Sequence, residues 1–169
     1  MRINTLSEVF LQELIDVYHA EKQLAEALPK LVKAASCQHL GVAFRNRLAE
    51  TNLHVERLES IFALLSQKPD AKICNAMAGL IEESGDALTC DCTETVRDAL
   101  LIADAQNIGH HEIAAYGTLH AWADQLGYEQ ACGLLKETLE EEKAADKAFT
   151  DLAFSHVNHN AETSTIVSE

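Results

Sequence analysis

The strongest constraint on this chain is a set of four apolar stripes, each repeating at the helical period over roughly 30 residues and grouped as two close pairs. The first stripe predicts a helix over about Leu6–Ala35, opened by the capping box Thr5-x-x-Glu8, with Pro29 loosening the turn around Ala25. The second predicts a helix over about Gln38–Gln67, stopped near Pro69. The third covers about Glu94–Leu126, opened by Asp91-x-x-Glu94 and closed by Gly127 as a C-cap, and the fourth covers about Tyr128–Val157. Between the pairs, residues 68–93 are too long for a tight turn. Ile73, Met77, Leu80 and Ile81 recur there at helical spacing and predict a short helix ended by Gly85. Hairpin, long crossover, hairpin is the connectivity of a ferritin-like four-helix bundle, not of an up-down bundle. The expected fold class is all-α, a single bundle domain over residues 1–160 with a flexible polar tail over 161–169.

Composition agrees with long helices: 47% of residues are apolar but only 5% aromatic, with 7 Gly and 2 Pro in the chain. A net charge of −14 would repel phosphates and anionic lipid, which argues against nucleic acid or a membrane surface as partner. No apolar run approaches the ~18–20 residues of a membrane span. The opening MRINTLSEVF lacks a signal-peptide apolar block, so the expected location is cytoplasmic. The cysteines Cys37, Cys74, Cys90, Cys92 and Cys132 are odd in number and contain no CxxC. Cys90-Asp-Cys92 reads as reduced thiols in a loop and not as a soft-metal site, and no disulfide framework is expected.

The run LEEEKAADK places four carboxylates about 100° apart on one helix, so they cannot share an environment. On the fourth helix Glu142 falls near the centre of the apolar arc of Leu135, Leu139, Phe149 and Leu152. Asp146 lies to one side within reach, Glu141 is far off centre, and Glu140 points to water. Glu21 lies on the stripe of the first helix and Glu112 on that of the third, while His110 faces away. On the second helix Thr51 is central, with His54 and Glu50 on a shared flank.

Glu21, Glu50, Glu112 and Glu142 all lie near mid-helix, so they fall at one height in the bundle whichever way each helix runs. Carboxylates gathered there repel one another and lose solvation, and a pair of divalent cations relieves both costs. That pattern points to a metal centre of two iron or manganese ions held by Glu21, Glu50, His54, Glu112, Glu142 and Asp146. Glu112 with Glu21 or Glu142 would bridge, and Glu50, His54 and Asp146 would be terminal ligands. The competing reading leaves the bundle free of metal, with the inward glutamates protonated, water-bonded or paired with Arg47 or Arg57. Tyr18 and Tyr116 are expected as core aromatics whose hydroxyls find a carboxylate.

The blocks DVYHAEKQL (16–24), GLIEE (79–83), EIAAYGTL (112–119), LLKETLEEEK (134–143) and AADKAFTDLA (144–153) resemble the bacterial YciE/YciF-type stress proteins, nearer to the YciF type. The likeness spans about Ile3 to His159. It implies a ferritin-like fold similar to rubrerythrin, a homodimer, expression under stress, and a function that is not established. Glu21, Glu50, Glu112 and Glu142 match the acidic positions of that family. Three positions depart from the pattern. Gly109 stands where relatives carry an acidic residue one turn before Glu112, and Leu53 and Ala145 stand where di-iron bundles place the histidine of ExxH. Two functions follow as expectations. One is a di-metal protein that detoxifies oxidant or handles iron, through a redox partner the sequence does not name. The other is a structural or partner-binding dimer with a degenerate site.

Overall fold

Local capping chemistry sets several of the helix boundaries. A computed structural model of the chain describes residues 3–163. In order it contains α1 (Leu6–Ala34), α2 (Gln38–Leu64), α3 (Asn75–Thr89), α4 (Glu94–Gln125), α5 (Glu129–Leu152), a π turn (Ala153–Val157) and α6 (Asn158–Thr163). Strands are absent among the described residues. At the start of α1 the Glu8 N–H donates to Thr5 Oγ1 at 3.2 Å and the Thr5 N–H donates to Glu8 Oε2 at 3.0 Å, which completes the predicted capping box. The helix continues unbroken through Pro29, so the expected loosening does not interrupt it.

Helices α4 and α2 each end in a Schellman motif. Gly127 at φ 72° donates to the Asp124 carbonyl at 3.1 Å, and Tyr128 donates to Ala123 at 2.9 Å. Ser66 takes the same left-handed position after α2 at φ 53°, donating to Ala63 at 3.0 Å, while Gln67 donates to Phe62 at 2.9 Å. This turn ends α2 at Leu64, ahead of the Pro69 stop.

Three boundaries differ from expectation. The cap of α4 is Thr93, whose hydroxyl accepts from the Val96 N–H at 3.4 Å; Asp91 lies too early in the chain to reach the first turn. α3 runs through Gly85 to Thr89, because Ala87 is buried and Leu88 packs on the core, so tertiary burial outweighs the glycine. α5 leaves regular geometry at Leu152, and α6 over residues 158–163 carries helix into the first residues of the tail expected to be flexible. Residues 164–169, most of the predicted tail, lie outside the described residues.

α1 pairs with α2 and α4 with α5, while α2 against α5 and α1 against α4 close the ring. α4 begins where α1 ends. There the buried Asp98 carboxylate accepts from the Ser36 N–H at 2.9 Å, the Cys37 N–H at 2.8 Å and the Ser36 hydroxyl at 2.6 Å. Neighbouring helices are therefore antiparallel all round, and α3 crosses outside α1 and α4. This is the ferritin-like bundle. No helix among the described residues is long and apolar enough to cross a membrane.

The core divides into two apolar clusters. One holds Leu24, Leu28, Phe44, Leu101, Ile108 and Phe149. The other holds Phe10, Leu14, Phe62, Leu119, Leu135 and Leu139. On every helix of the ring the boundary between them falls at a polar residue: Glu21 on α1, Arg47 to His54 on α2, Glu112 on α4 and Glu142 on α5.

Candidate functional site

That boundary is a sealed polar layer. Relative exposure is 0% for Glu21, His54 and Glu142, 1% for Glu112 and 6% for Arg47. Helical periodicity carries each residue inward for the same reason as its apolar neighbours, and equal height brings them together. The run of three glutamates behaves as its angles require. Glu142 is buried, Glu140 is exposed and pairs with Lys143 at 2.8 Å, and Glu141 sits half-way.

Arg47 is the hub. One arm of its guanidinium donates from Nη1 to Glu142 Oε1 at 2.6 Å, and the other donates from Nη2 to Glu112 Oε2. The planar fork thus spans carboxylates from α4 and α5. His54 is the second hub: Nδ1 lies 3.1 Å from Glu21 Oε1 and 3.2 Å from Glu142 Oε1, and Nε2 lies 3.0 Å from Glu141 Oε2. An imidazole with carboxylates at both nitrogens is satisfied only when both nitrogens carry protons. Tyr116 donates to Glu21 Oε1 at 2.6 Å, and Tyr18 donates to Glu59 at 3.0 Å, as expected for core tyrosines. Arg57 covers the α2–α5 side, donating to Glu141 and, from Nη2, to Glu137 at 2.8 Å.

Charge in the layer is close to balanced. Burial pushes His54 toward neutrality, but its hydrogen bonds to Glu142 and Glu21 and their charges outweigh this and raise its pKa to about 10. Burial raises Glu112 well above the usual carboxylate range, with Arg47 opposing and the other carboxylates adding to the rise. Glu142 is just as deeply buried, yet the charges and hydrogen bonds of Arg47 and His54 hold it below its ordinary value. Two cations face three inner carboxylates, so a proton on Glu112 brings the layer to neutrality.

Of the six predicted ligands, Glu21, His54, Glu112 and Glu142 meet in this layer. Glu50 and Asp146 do not. Glu50 is half-buried beside Arg47 in a groove of about 340 Å3 between α2 and α5, floored by Arg47 and lined by Val42, Ala145 and Phe149. Asp146 leans to the α4 side, accepting from Gln106 Nε2 at 3.3 Å and facing His110 Nε2 at 3.6 Å. Its flank position on α5 left either neighbour open, and α4 offers it donors. Sequence reasoning placed Glu141 too far out, since it meets Arg57 and His54, and did not single out Asp98. Opposite charge at matching height on adjacent helices could have pointed to Glu141; Asp98 caps a distant turn and has no local signature.

The fit to metal can be judged from the donor set. Glu21, His54 and Glu142 offer one ligand atom each within 4.8 Å of one another, enough to consider a single ion. Glu21 Oε2, Glu112 Oε1, Glu142 Oε2 and Thr51 Oγ1 are buried without hydrogen-bond partners, and such oxygens suit a cation or trapped water. A pair of ions does not fit this arrangement. The Arg47 guanidinium spans Glu112 and Glu142 where a bridging ion would sit, Asp146 bonds on the α4 side, and Leu53 and Ala145 supply no ExxH nitrogen.

The chain as a whole is similar to known proteins. Residues 5–162 match the family model described as Domain of unknown function (DUF892). The chain is 48% identical over 163 residues to Protein YciF of Escherichia coli (strain K12), covering 96% of this chain and 98% of that one. It is similar to the crystal structure of the Escherichia coli stress protein YciF, with a TM-score of 0.89 covering 92% of this chain and 99% of that one. It is also similar to YcfI from Rhodopseudomonas palustris, at 40% identity and a TM-score of 0.84 over 88% of this chain and 94% of that one.

Proposed function

Because the chain belongs to the DUF892 family and is a homologue of the stress protein YciF, we propose that it is a stress-associated bundle whose buried centre is structural. In this reading Arg47 and His54 take the electrostatic part that two metal ions take in ferritin-like oxygen-activating proteins. The observation that carries it is the guanidinium of Arg47 held between Glu112 and Glu142 inside the bundle. A buried carboxylate needs a positive counterpart, and here the protein supplies one covalently, at fixed stoichiometry and without redox chemistry. The proposal includes a homodimer, as the family resemblance implies, acting in the cytoplasm.

The test is metal content. Protein purified without chelator, and again after anaerobic loading with Fe(II) or Mn(II), is expected to hold well below one ion per chain and to melt at the same temperature with and without metal. Stoichiometric binding with a raised Tm would overturn the reading, because a ligand that binds only the folded state must stabilise it.

A second reading rests on the Glu21, His54 and Glu142 triad, which offers three ligand atoms to one ion without displacing Arg47 from Glu112. It requires His54 to lose the proton it shares with Glu21 and Glu142, so binding would strengthen steeply with pH. Loading that stays empty at neutral pH and fills to one ion per chain near pH 10 would favour it. The chemistry of di-iron or di-manganese oxidant detoxification has no support in this side-chain arrangement.

A further inference from the structure

Cys90 and Cys92 lie in the connection between α3 and α4, far in the fold from the buried layer. Cys90 is the C-cap of α3, and Cys92 immediately precedes Thr93, the cap of α4. The Cys92 N–H donates to the Cys90 carbonyl at 3.1 Å, an i to i+2 bond that folds the three residues into a γ-turn about Asp91. That turn draws the two Cα atoms together toward the separation of about 4.4–6.8 Å that a disulfide needs. Both residues are partly exposed. Arg97 reaches back from the first turn of α4, donating from Nη2 to the Cys90 carbonyl at 3.0 Å. Its Nε is buried without a hydrogen-bond partner. The hydrogen bond to the Cys92 thiol, burial and the Cys92 charge raise the Cys90 pKa and Arg97 opposes that rise, so the attacking thiolate is the minor form.

The remaining cysteines are differently placed. Cys74 is buried and donates to Asp16 Oδ2 at 3.2 Å, Cys37 caps α2, and Cys132 faces His120 Nδ1 at 3.1 Å near the start of α5. Among the described residues none of the three is bonded to a second thiol.

We infer that Cys90 and Cys92 form a reversible dithiol–disulfide pair that is oxidised by hydroperoxides. In the first step the thiolate attacks one peroxide oxygen. An S–O bond forms, the O–O bond breaks, and the departing oxygen takes a proton and leaves as water or an alcohol. In the second step the other sulfur attacks the sulfenic sulfur. The S–S bond forms, the S–O bond breaks, and water leaves. The two sulfurs together lose two electrons and two protons, and the peroxide gains them. A small dithiol reverses the change by exchange. Adjacency makes the second step intramolecular, so the sulfenic acid is captured before a further oxidant molecule reaches it.

The test uses the full chain, reduced, desalted and treated with a slight excess of hydrogen peroxide, then alkylated, digested and weighed. The peptide carrying Cys90 and Cys92 is expected unalkylated and lighter by two hydrogens, and dithiothreitol should restore both alkylation sites. A second measurement uses glutathione disulfide on the chain and on the variants Cys90→Ser and Cys92→Ser. The parent chain should expel glutathione and close internally, whereas each variant should retain at least about tenfold more glutathione at the remaining cysteine of the pair. Full alkylation of both residues after peroxide, a Cys90 bond to a second chain, or equal glutathione retention by parent and variants would overturn the inference.

Discussion

Replacing Arg47 by methionine keeps a long side chain in the bundle but removes the cation between Glu112 and Glu142. Both carboxyls are then left in a site where they are at most 1% exposed. Removing one partner of a buried ion pair costs about 3–5 kcal/mol, because the surviving charge is desolvated and uncompensated. Glu112 softens the loss, since burial already favours its protonated form, so the lower half of that range is expected for this side of the fork. Glu142, held ionised by Arg47 and His54, carries the larger part. For a chain of this length each kcal/mol lowers Tm by about 2–4 °C, which places the drop at roughly 6–20 °C.

The sign with pH follows from the same groups. Without Arg47 the folded-state pKa values of both carboxyls rise. Stability is then best retained below the ordinary value of 4.5 and lost as pH climbs through the raised values, so the deficit should be smaller near pH 5 than near pH 8. Adding Glu112→Gln and Glu142→Gln to Arg47→Met should recover most of the loss, since no charge then remains to be stranded. Thermal melts by circular dichroism at both pH values decide the matter. A Tm for Arg47→Met within about 2 °C of the parent, or no recovery in the triple variant, would refute the reasoning.

Other outcomes follow from single features. His54 has a folded-state pKa of about 10 against 6.5 when unfolded, so its contribution is complete below pH 6.5 and is lost as pH rises to 10; NMR titration should find its ring still protonated at pH 8. Ser66 holds φ 53° in the Schellman turn after α2, so Ser66→Gly should raise stability by about 1 kcal/mol in denaturant melts. Asp98→Ala removes the acceptor of the Ser36 and Cys37 N–H groups and of the Ser36 hydroxyl, and should cost about 1–3 kcal/mol in all, since water can reach the exposed Ser36, with faster amide exchange at the α1–α2 turn. Glu140→Gln, at an exposed i,i+3 pair, should leave the melting temperature unchanged within the scatter of repeat melts.

Much of this architecture could be read in one dimension because a helix repeats at a fixed angle. That angle alone separates Glu142 from Glu140, and it places Glu21 and Glu112 on their stripes at the height where the two apolar clusters meet. Equal height on antiparallel helices then predicts their meeting. What one helix cannot report is which neighbour a flanking side chain will choose. Asp146 and His54 both lie to one side of an apolar arc, yet Asp146 turns to Gln106 and His110 while His54 is drawn fully inside by carboxylates on both faces. Arg47 is harder still. Its position is visible in the sequence, but its long stem and forked end allow several partners, and only the assembled ring puts Glu112 and Glu142 within its span. Helix ends follow the same division: Thr5 and Gly127 act locally and are legible, whereas α3 continues past Gly85 because burial of Ala87 rewards it.

The most direct measurement is anomalous diffraction at the iron and manganese edges from crystals grown with Fe(II) or Mn(II). The account predicts guanidinium density joining the α4 and α5 carboxylates and no anomalous peak inside the bundle. A peak bridging Glu112 and Glu142, with Arg47 displaced into the groove beside Glu50, would contradict it.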